Sequence, residues 1–189
     1  MNTKDKMHSG ALYQYNDPEL VREQMALADR IADYNATRPS DMKKRDELMR
    51  GIFGAVGEGC MIEIPFRANW GCHTHLGRNF YANFNLTLVD DTYIHIGDDV
   101  MCGPNVTLAT AGHPLDPDLR RQAYQVNKPI RIGDNVWIGA HTVVLPGVTI
   151  GSNTVIGAGS VVTKDIPAQV LALGTPCRVV KELPNGGGV

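Results

Sequence analysis

Residues 132–162 read IGDNVWIGAHTVVLPGVTIGSNTVIGAGSVV, and this stretch decides the fold. An aliphatic residue returns at every sixth position, namely Ile132, Ile138, Val144, Ile150, Ile156 and Val162. Small or β-branched residues stand four places later, at Val136, Thr142, Val148, Thr154 and Ser160. A period of six fits neither an α-helix nor an alternating strand. It is typical of a parallel β-solenoid, in which each hexapeptide supplies one short strand and one corner.

Glycine follows the aliphatic residue in four of these units, at Gly133, Gly139, Gly151 and Gly157. Because glycine adopts backbone angles that other residues avoid, we expect these glycines to form the corners. A weaker rhythm precedes the stretch and predicts inward positions at Ile64, Trp70, Leu76, Ala82 and Leu88. A two-residue interruption at Asp90 and Asp91 then resets the frame to Ile96, Cys102 and Leu108.

The remaining segments differ from the repeat in pattern. Residues 1–57 are predicted to form a helical segment, with one amphipathic helix over Asp17–Ala36 and a second that begins at Ser40. Residues 58–166 are predicted to form the β-helix, and we expect residues 109–131 to interrupt it as a long excursion loop, since this stretch is charged and contains prolines. Residues 167–189 are predicted to form a closing segment, with a strand over Val170–Val180 and a flexible tail at Gly186–Gly188.

Composition excludes several classes of partner. Lysine and arginine number 18 against 20 aspartate and glutamate residues, so nucleic acid and anionic membranes are not expected partners. No run of 18 apolar residues occurs, and the first residues lack the apolar stretch of a signal peptide, so we expect a cytoplasmic protein. The four cysteines form no C-x-x-C pair and are expected to be reduced thiols, mostly in the core.

Six short motifs lie along the chain: ANFN at 82–85, GHP at 112–114, NVWIG at 135–139, GAGS at 157–160, VTKDIP at 162–167 and GTPCR at 174–178. In this order they resemble the galactoside/maltose O-acetyltransferases, which are hexapeptide-repeat acyltransferases. The resemblance covers residues 10–182. It implies a mainly β fold, a left-handed parallel β-helix that forms a homotrimer. The implied activity is transfer of an acetyl group from acetyl-CoA, as co-substrate, to a hydroxyl of a galactoside, maltose or glucose-like sugar.

Two residues are the predicted catalytic groups. The resemblance gives His113 the role of general base, and an imidazole suits this role because it titrates near neutral pH. The resemblance also gives Asn83 the role of oxyanion donor, since its amide N–H₂ can donate to a carbonyl oxygen that gains charge. The alternatives are a solvated loop histidine and a corner asparagine with positive φ.

Four residues are predicted to contact the acceptor. The resemblance implies acceptor contacts for Asn69 and Asp91 and places Trp137 in an active-site cleft between subunits. Relatives also carry an acidic acceptor-binding residue in the N-terminal segment. Asp17 is the candidate here, although the alignment places Tyr15 at that position and Asp17 is also well placed to cap a helix.

Six residues are predicted to hold coenzyme A. Ala140 and Ala158 offer backbone groups to the pantetheine arm. The nucleotide and its phosphates are expected to meet Thr163, Lys164, Arg178 and Lys181, since Lys and Arg are the natural partners of phosphate.

Three other functions stay open from the sequence. The first is transfer to the hydroxyl of a non-sugar alcohol, since related folds act on such molecules. A zinc enzyme like the γ-carbonic anhydrases is a second alternative, but the excursion loop lacks a second histidine soon after His113, so no metal is expected. A trimeric scaffold without activity is the third.

Overall fold

The computed structural model describes residues 1–184, so the predicted flexible tail at Gly186–Gly188 lies outside the described residues. Three sheets form the sides of a parallel β-solenoid, as the six-residue period predicted. Sheet 1 contains β2 (Ala55–Val56), β5 (Thr74–Leu76), β8 (Ile94–Ile96), β13 (Ile130–Ile132) and β16 (Thr149–Ile150). Sheet 2 contains β3 (Met61–Ile62), β6 (Tyr81–Ala82), β9 (Met101–Cys102), β14 (Trp137–Ile138), β17 (Val155–Ile156), β19 (Val170–Gly174) and β20 (Cys177–Glu182). Sheet 3 contains β4 (Arg67–Ala68), β7 (Thr87–Val89), β10 (Thr107–Ala109), β15 (Val143–Val144) and β18 (Val161–Val162).

The interior of the solenoid holds the residues that the period selected. Ile132 is 4% exposed, and the other five predicted residues of the deciding stretch are fully buried. Parallel pairing stacks equivalent residues of successive coils, so that Cys102, Ile138 and Ile156 lie in one column of sheet 2. The sequence prediction of a solenoid with one aliphatic interior is therefore confirmed.

The predicted reason for the repeat glycines is wrong. Positive φ values occur instead at polar corner residues, among them Asn85, Asn105, Asn135 and Asn153. A Cβ added at Gly139 would lie 2.5 Å from the backbone nitrogen of Ala158 in the next coil, and one at Gly133 would lie 2.7 Å from that of Ser152. Glycine is needed at these positions because adjacent coils approach too closely for a side chain.

The predicted frame of the first coil is also wrong at two positions. Strand pairing makes Val56, Ile62 and Ala68 the inward residues, because they align with Leu76, Ala82 and Leu88 of the next coil. Ile64 is only partly buried, and Trp70 packs in a separate cluster with Met7, Tyr13 and Leu20. The cause is a two-residue insertion before β5, which the apolar residues at 64 and 70 concealed.

Three successive coils depart from the period at the same corner, where the chain passes from sheet 3 to sheet 1. We call it the 3–1 corner. The inward residues on its two sides are eight apart in the first two coils, from Ala68 to Leu76 and from Leu88 to Ile96. In the third coil the excursion separates Leu108 from Ile132. The extra residues project from the solenoid together, because the coils that carry them are stacked.

The excursion carries its own secondary structure. It contains β11 (Ala111–Gly112), α4 (Pro117–Arg121) and β12 (Tyr124–Asn127). Strand β12 pairs antiparallel with β11 and with β1 (Tyr13–Gln14), giving a three-stranded sheet that joins the excursion to the N-terminal segment. The solenoid resumes at Ile130, so the last two residues of the predicted loop belong to β13.

The helical segment agrees with the sequence in part. Helix α2 (Pro18–Asn35) is capped by Asp17, as predicted, whereas α3 (Met42–Ile52) is capped by Asp41 and so begins after the predicted Ser40. Helix α1 (Thr3–Ser9), which begins with a capping box, was not predicted. Within residues 1–184 no helix combines the length and apolar character needed to cross a membrane.

Both ends of the solenoid are covered. The Tyr34 hydroxyl donates to the carbonyl of Ile62 at 2.7 Å, and the Asn35 amide bonds both backbone groups of Phe66, so α2 lies across the first coil. Strand β2 lies inside the predicted helical segment, and the solenoid therefore starts before residue 58. At the other end β19 and β20 form an antiparallel hairpin in place of the single predicted strand.

Candidate active site

A pocket of about 280 Å³ opens at the 3–1 corner, and we call it the corner pocket. Three residues predicted from the sequence, Asn69, Asp91 and His113, line it together. They come from the three successive coils that carry extra residues at this corner. The other lining residues are Tyr13, Tyr15, Leu20, Gln24, Trp70 and Gln125. The pocket therefore lies between the solenoid, the excursion and the N-terminal segment.

His113 follows β11 and is exposed at the pocket. Its Nδ1 lies 3.3 Å from the carbonyl oxygen of Tyr124 on the neighbouring strand β12. A carbonyl oxygen only accepts hydrogen bonds, so this contact assigns the proton to Nδ1 and leaves Nε2 as an acceptor in the neutral ring. The Tyr15 ring packs edge-on against the imidazole at 5.6 Å between centroids. The arrangement orients the imidazole from two sides and gives it the tautomer that a base requires.

Asp91 and Asn69 form a pair in the pocket. The Asn69 Nδ2 donates to the Asp91 carboxylate at 2.8 Å, and Asp91 is 7% exposed. An Asp side chain accepts hydrogen bonds, and an Asn side chain both donates and accepts them. The pair can therefore bind a hydroxyl group either as a donor or as an acceptor.

Asp90 lies behind this pair, fully buried. Its carboxylate accepts from the backbone N–H of Trp70 at 2.8 Å and from the Thr74 hydroxyl at 3.0 Å. Burial raises the pKa of Asp90 to about 7. The consecutive aspartates thus have different roles, since Asp91 faces the pocket while Asp90 fixes the segment that carries Asn69.

Asn83 lies away from the corner pocket, at the corner between sheets 2 and 3. Its Oδ1 accepts from the backbone N–H of Phe84 at 2.8 Å, which leaves the amide N–H₂ without a partner among residues 1–184. The positive φ at this corner belongs to Asn85, so the alternative role as a positive-φ corner residue does not apply to Asn83. One chain therefore places Asn83 and His113 at two different corners of the solenoid.

Trp137 lies on the outer face of sheet 2 and is 52% exposed. Its neighbour in the sheet is Met101, which is 49% exposed, and Phe84 at the adjoining corner is 47% exposed. Exposed large apolar side chains that lie together mark interaction surfaces. Like Asn83, Trp137 does not line the corner pocket of its own chain.

The predicted coenzyme A residues lie on the later coils. Ala140 and Ala158 lie at equivalent positions after β14 and β17, and the Ala140 carbonyl accepts from Gly159 N–H at 2.8 Å. The polar residues of the set, Thr163, Lys164, Arg178 and Lys181, are all exposed. Over residues 1–184 no carboxylate lies within ion-pair distance of Lys164, Arg178 or Lys181. Unpaired cations fit the phosphates of a nucleotide.

Like Trp137, Asp17 is a predicted acceptor residue that does not line the corner pocket. Its carboxylate accepts from Glu19 N–H at 2.9 Å as the cap of α2, and this hydrogen bond lowers the pKa of Asp17. Tyr15 lines the corner pocket instead. Gln24 and Gln125 were not predicted, because neither belongs to a repeat or to one of the six motifs.

Four of the five other histidines form a separate group. His8, His73, His75 and His95 pack around Tyr93 on the outer side of sheet 1, with ring centroids 4.6–6.0 Å apart. Burial lowers the pKa of His73 to about 4. In the described part of the chain, no three His, Cys, Asp or Glu residues form a group that would hold a metal ion.

The chain has close relatives among known proteins. Residues 6–57 match the maltose acetyltransferase hexapeptide capping motif, and residues 129–164 match the bacterial transferase hexapeptide in six repeats. Galactoside O-acetyltransferase of Escherichia coli K12 is 46% identical over 183 residues, which are 97% of this chain and 90% of that protein.

Solved structures agree with this relationship. A maltose O-acetyltransferase from Clostridium difficile 630 superposes with a TM-score of 0.96 at 44% identity, over 98% of this chain and 99% of that one. A galactoside acetyltransferase in complex with coenzyme A superposes with a TM-score of 0.93 at 45% identity, over 97% and 92%. On its sequence, its solenoid and these relatives, the chain belongs to the galactoside and maltose O-acetyltransferase family of hexapeptide-repeat acyltransferases.

Proposed function

We propose that the protein transfers an acetyl group from acetyl-CoA to a hydroxyl of a sugar, and that the sugar binds in the corner pocket. The observation that carries the proposal is the contact between His113 Nδ1 and the Tyr124 carbonyl, because it leaves Nε2 free to take a proton at the pocket. The names of the relatives support acetyl transfer, and the galactoside acetyltransferase complex supports coenzyme A as the carrier.

The lining of the corner pocket favours a sugar among hydroxyl acceptors. It combines one carboxylate and three side-chain amides, those of Asp91, Asn69, Gln24 and Gln125, with aromatic rings. Amides and a carboxylate satisfy several hydroxyl groups at once, while aromatic rings cover apolar surface. A simple alcohol would leave most of these polar groups unpaired, which costs binding free energy.

Each step of the proposed acetyl transfer is assigned to a residue of this chain. Acetyl-CoA supplies the acetyl group as a thioester. His113 Nε2 removes the proton from the acceptor hydroxyl while that oxygen attacks the acetyl carbon, and the imidazolium returns the proton to the departing thiol sulfur. The Asn83 N–H₂ donates to the carbonyl oxygen that gains negative charge. The nucleotide would be held by Lys164, Arg178 and Lys181, with Thr163 beside them.

We further propose that the reaction centre lies between two subunits of a homotrimer. Asn83 and His113 lie at different corners of one solenoid, so they meet only if neighbouring chains bring these corners together. The exposed side chains of Phe84, Met101 and Trp137 give the Asn83 side of the solenoid an apolar surface to bury in such an interface.

Direct transfer is favoured over a path through an acetylated cysteine. Burial raises the pKa of all four thiols, those of Cys60, Cys72, Cys102 and Cys177, and that of Cys102 to about 12. A nucleophilic cysteine needs the opposite shift. We expect an acetyl-enzyme to be absent by mass spectrometry after incubation with acetyl-CoA alone.

The test of the proposal is an acceptor panel combined with His113→Ala. Thiol release from acetyl-CoA should require a sugar, and the variant should lose about 10²–10⁴-fold in kcat. The affinity for coenzyme A should stay unchanged, because its proposed contacts lie on the later coils. Near-normal turnover by His113→Ala would remove the base from the mechanism, and a panel without any active sugar would contradict the proposed acceptor.

A further inference from the structure

Asn127, the last residue of β12, lies at the joint between three segments of the chain. It is 1% exposed and does not line the corner pocket. Its Nδ2 is within hydrogen-bond distance of three oxygens: the Met7 carbonyl at 3.0 Å, the Tyr13 hydroxyl at 2.9 Å and the Asp91 carbonyl at 3.1 Å. Its Oδ1 accepts from Gln125 Nε2 at 2.8 Å.

These partners belong to different walls of the corner pocket. Met7 is in α1, Tyr13 is in β1, and Asp91 is in the 3–1 corner of the solenoid. Tyr13, Asp91 and Gln125 themselves line the pocket. The Tyr13 hydroxyl also accepts from Gln125 at 2.9 Å, so the network is closed as well as buried. One amide therefore connects the N-terminal segment, the excursion and the coil that carries Asp91.

The chemistry of an amide is required at this position. Asn offers two N–H donors to the cluster of oxygens and one carbonyl acceptor to Gln125, whereas Asp has the same shape but only accepts when ionised. A carboxylate here would face the Met7 and Asp91 carbonyl oxygens, which only accept hydrogen bonds and would lose their donor. Buried polar networks of this kind are costly to leave half-satisfied.

We propose that Asn127 is a positioning residue for the corner pocket, holding the N-terminal segment and the excursion in register with Asp91. This inference rests on the proposed function of the pocket as the acceptor site. Asn127 acts through Tyr13, Gln125 and Asp91, since it does not reach the pocket itself. Its loss should therefore affect acceptor binding much more than coenzyme A binding.

The experiment compares Asn127→Asp and the milder Asn127→Ser with the wild type. We expect Asn127→Asp to raise the acceptor KM about tenfold or more, the size expected for loss of a buried hydrogen-bonded group. The dissociation constant for coenzyme A and kcat at saturating acceptor should stay within about threefold. Asn127→Ser, which keeps one donor, should show a smaller rise in the same direction, and it carries the test if Asn127→Asp does not fold.

Hydrogen exchange provides a readout that does not depend on activity. Amides of residues 3–14 should exchange faster in Asn127→Asp, while those of β14 to β18 should not change. The control is Thr154→Val, which removes an equally buried polar group whose hydroxyl donates to the Pro167 carbonyl at 2.9 Å, far along the chain from the pocket residues. It should leave acceptor KM and exchange in residues 3–14 unchanged.

An acceptor KM within about twofold of wild type in both Asn127 variants would overturn the proposal. Faster exchange throughout the solenoid would also overturn it, because it would indicate general destabilisation. If the wild type acetylates no sugar, the proposed function fails, while the exchange data still decide whether Asn127 couples the segments.

Discussion

Replacing Asp91 by Asn tests whether the corner pocket binds the acceptor. In the wild type the Asn69 Nδ2 donates to the Asp91 carboxylate at 2.8 Å. The substitution keeps the shape of the side chain and an oxygen that can accept this hydrogen bond, but it removes the charge. A hydrogen bond to a charged group contributes about 1.5–3 kcal/mol. If an acceptor hydroxyl donates to Asp91, the variant should lose about 10–150-fold in kcat/KM for the acceptor.

The assay is thiol release from acetyl-CoA over a range of acceptor concentrations. The KM for acetyl-CoA should not change, because Asp91 lies far along the chain from the proposed nucleotide contacts. Asp98→Asn is the matched control, since Asp98 pairs with Arg78 on an exposed corner and surface pairs contribute little. An acceptor kcat/KM within twofold of wild type in Asp91→Asn, at the level of the Asp98→Asn control, would refute the assignment of the pocket.

Three further predictions concern the solenoid, the buried aspartate and the cofactor. Gly133→Ala should destabilise the protein by about 1–3 kcal/mol, because its Cβ would lie 2.7 Å from the Ser152 nitrogen. Gly51→Ala, in α3 with open space around it, should instead stabilise the protein by about 1 kcal/mol. Denaturant unfolding at matched chain concentration measures the free energy of unfolding of both variants. Equal changes in that free energy would contradict the argument that adjacent coils approach too closely at Gly133. Because burial raises the folded-state pKa of Asp90 from 3.8 to about 7, the free energy of unfolding should lose a contribution as pH rises between these values. An Asn side chain does not ionise, so Asp90→Asn should not lose this contribution. The free energy of unfolding of Asp90→Asn relative to wild type should therefore be greater at pH 8 than at pH 4. An equal difference between the two proteins at both pH values would argue against a raised pKa for Asp90. Arg178→Ala should raise the KM for acetyl-CoA and leave the acceptor KM unchanged in steady-state assays, and the reverse pattern would place the nucleotide elsewhere.

The later coils were predictable from sequence because one physical rule governs them. Each inward position must hold an aliphatic side chain, and Ile138, Ile150 and Ile156 satisfy that rule without interruption. The first coil was misread because Ile64 and Trp70 fit the period by chance, while the true inward residue Ala68 is small and gives a weak signal.

Part of the corner pocket was also visible in the sequence. The interruption at Asp90 and Asp91 and the excursion that carries His113 mark the corner where the period fails, and the family motifs drew attention to His113. The role of α1 could not be predicted, because Met7 is buried by Tyr13 and Trp70, which lie far apart in sequence. For the same reason Gln125 and Asn127 gave no signal, since their hydrogen bonds depend on the folded excursion.

The central claim is that His113 of one chain acts with Asn83 of a neighbouring chain. It is tested most directly by mixed trimers that combine His113→Ala chains with Asn83→Ala chains. Each variant alone should be nearly inactive. With random assembly at equal amounts, about a quarter of the sites would contain both intact residues, so the mixture should regain about a quarter of the wild-type activity per chain. If both residues act within one chain, no site in the mixture would be intact, and activity no higher than that of the separate variants would contradict the account.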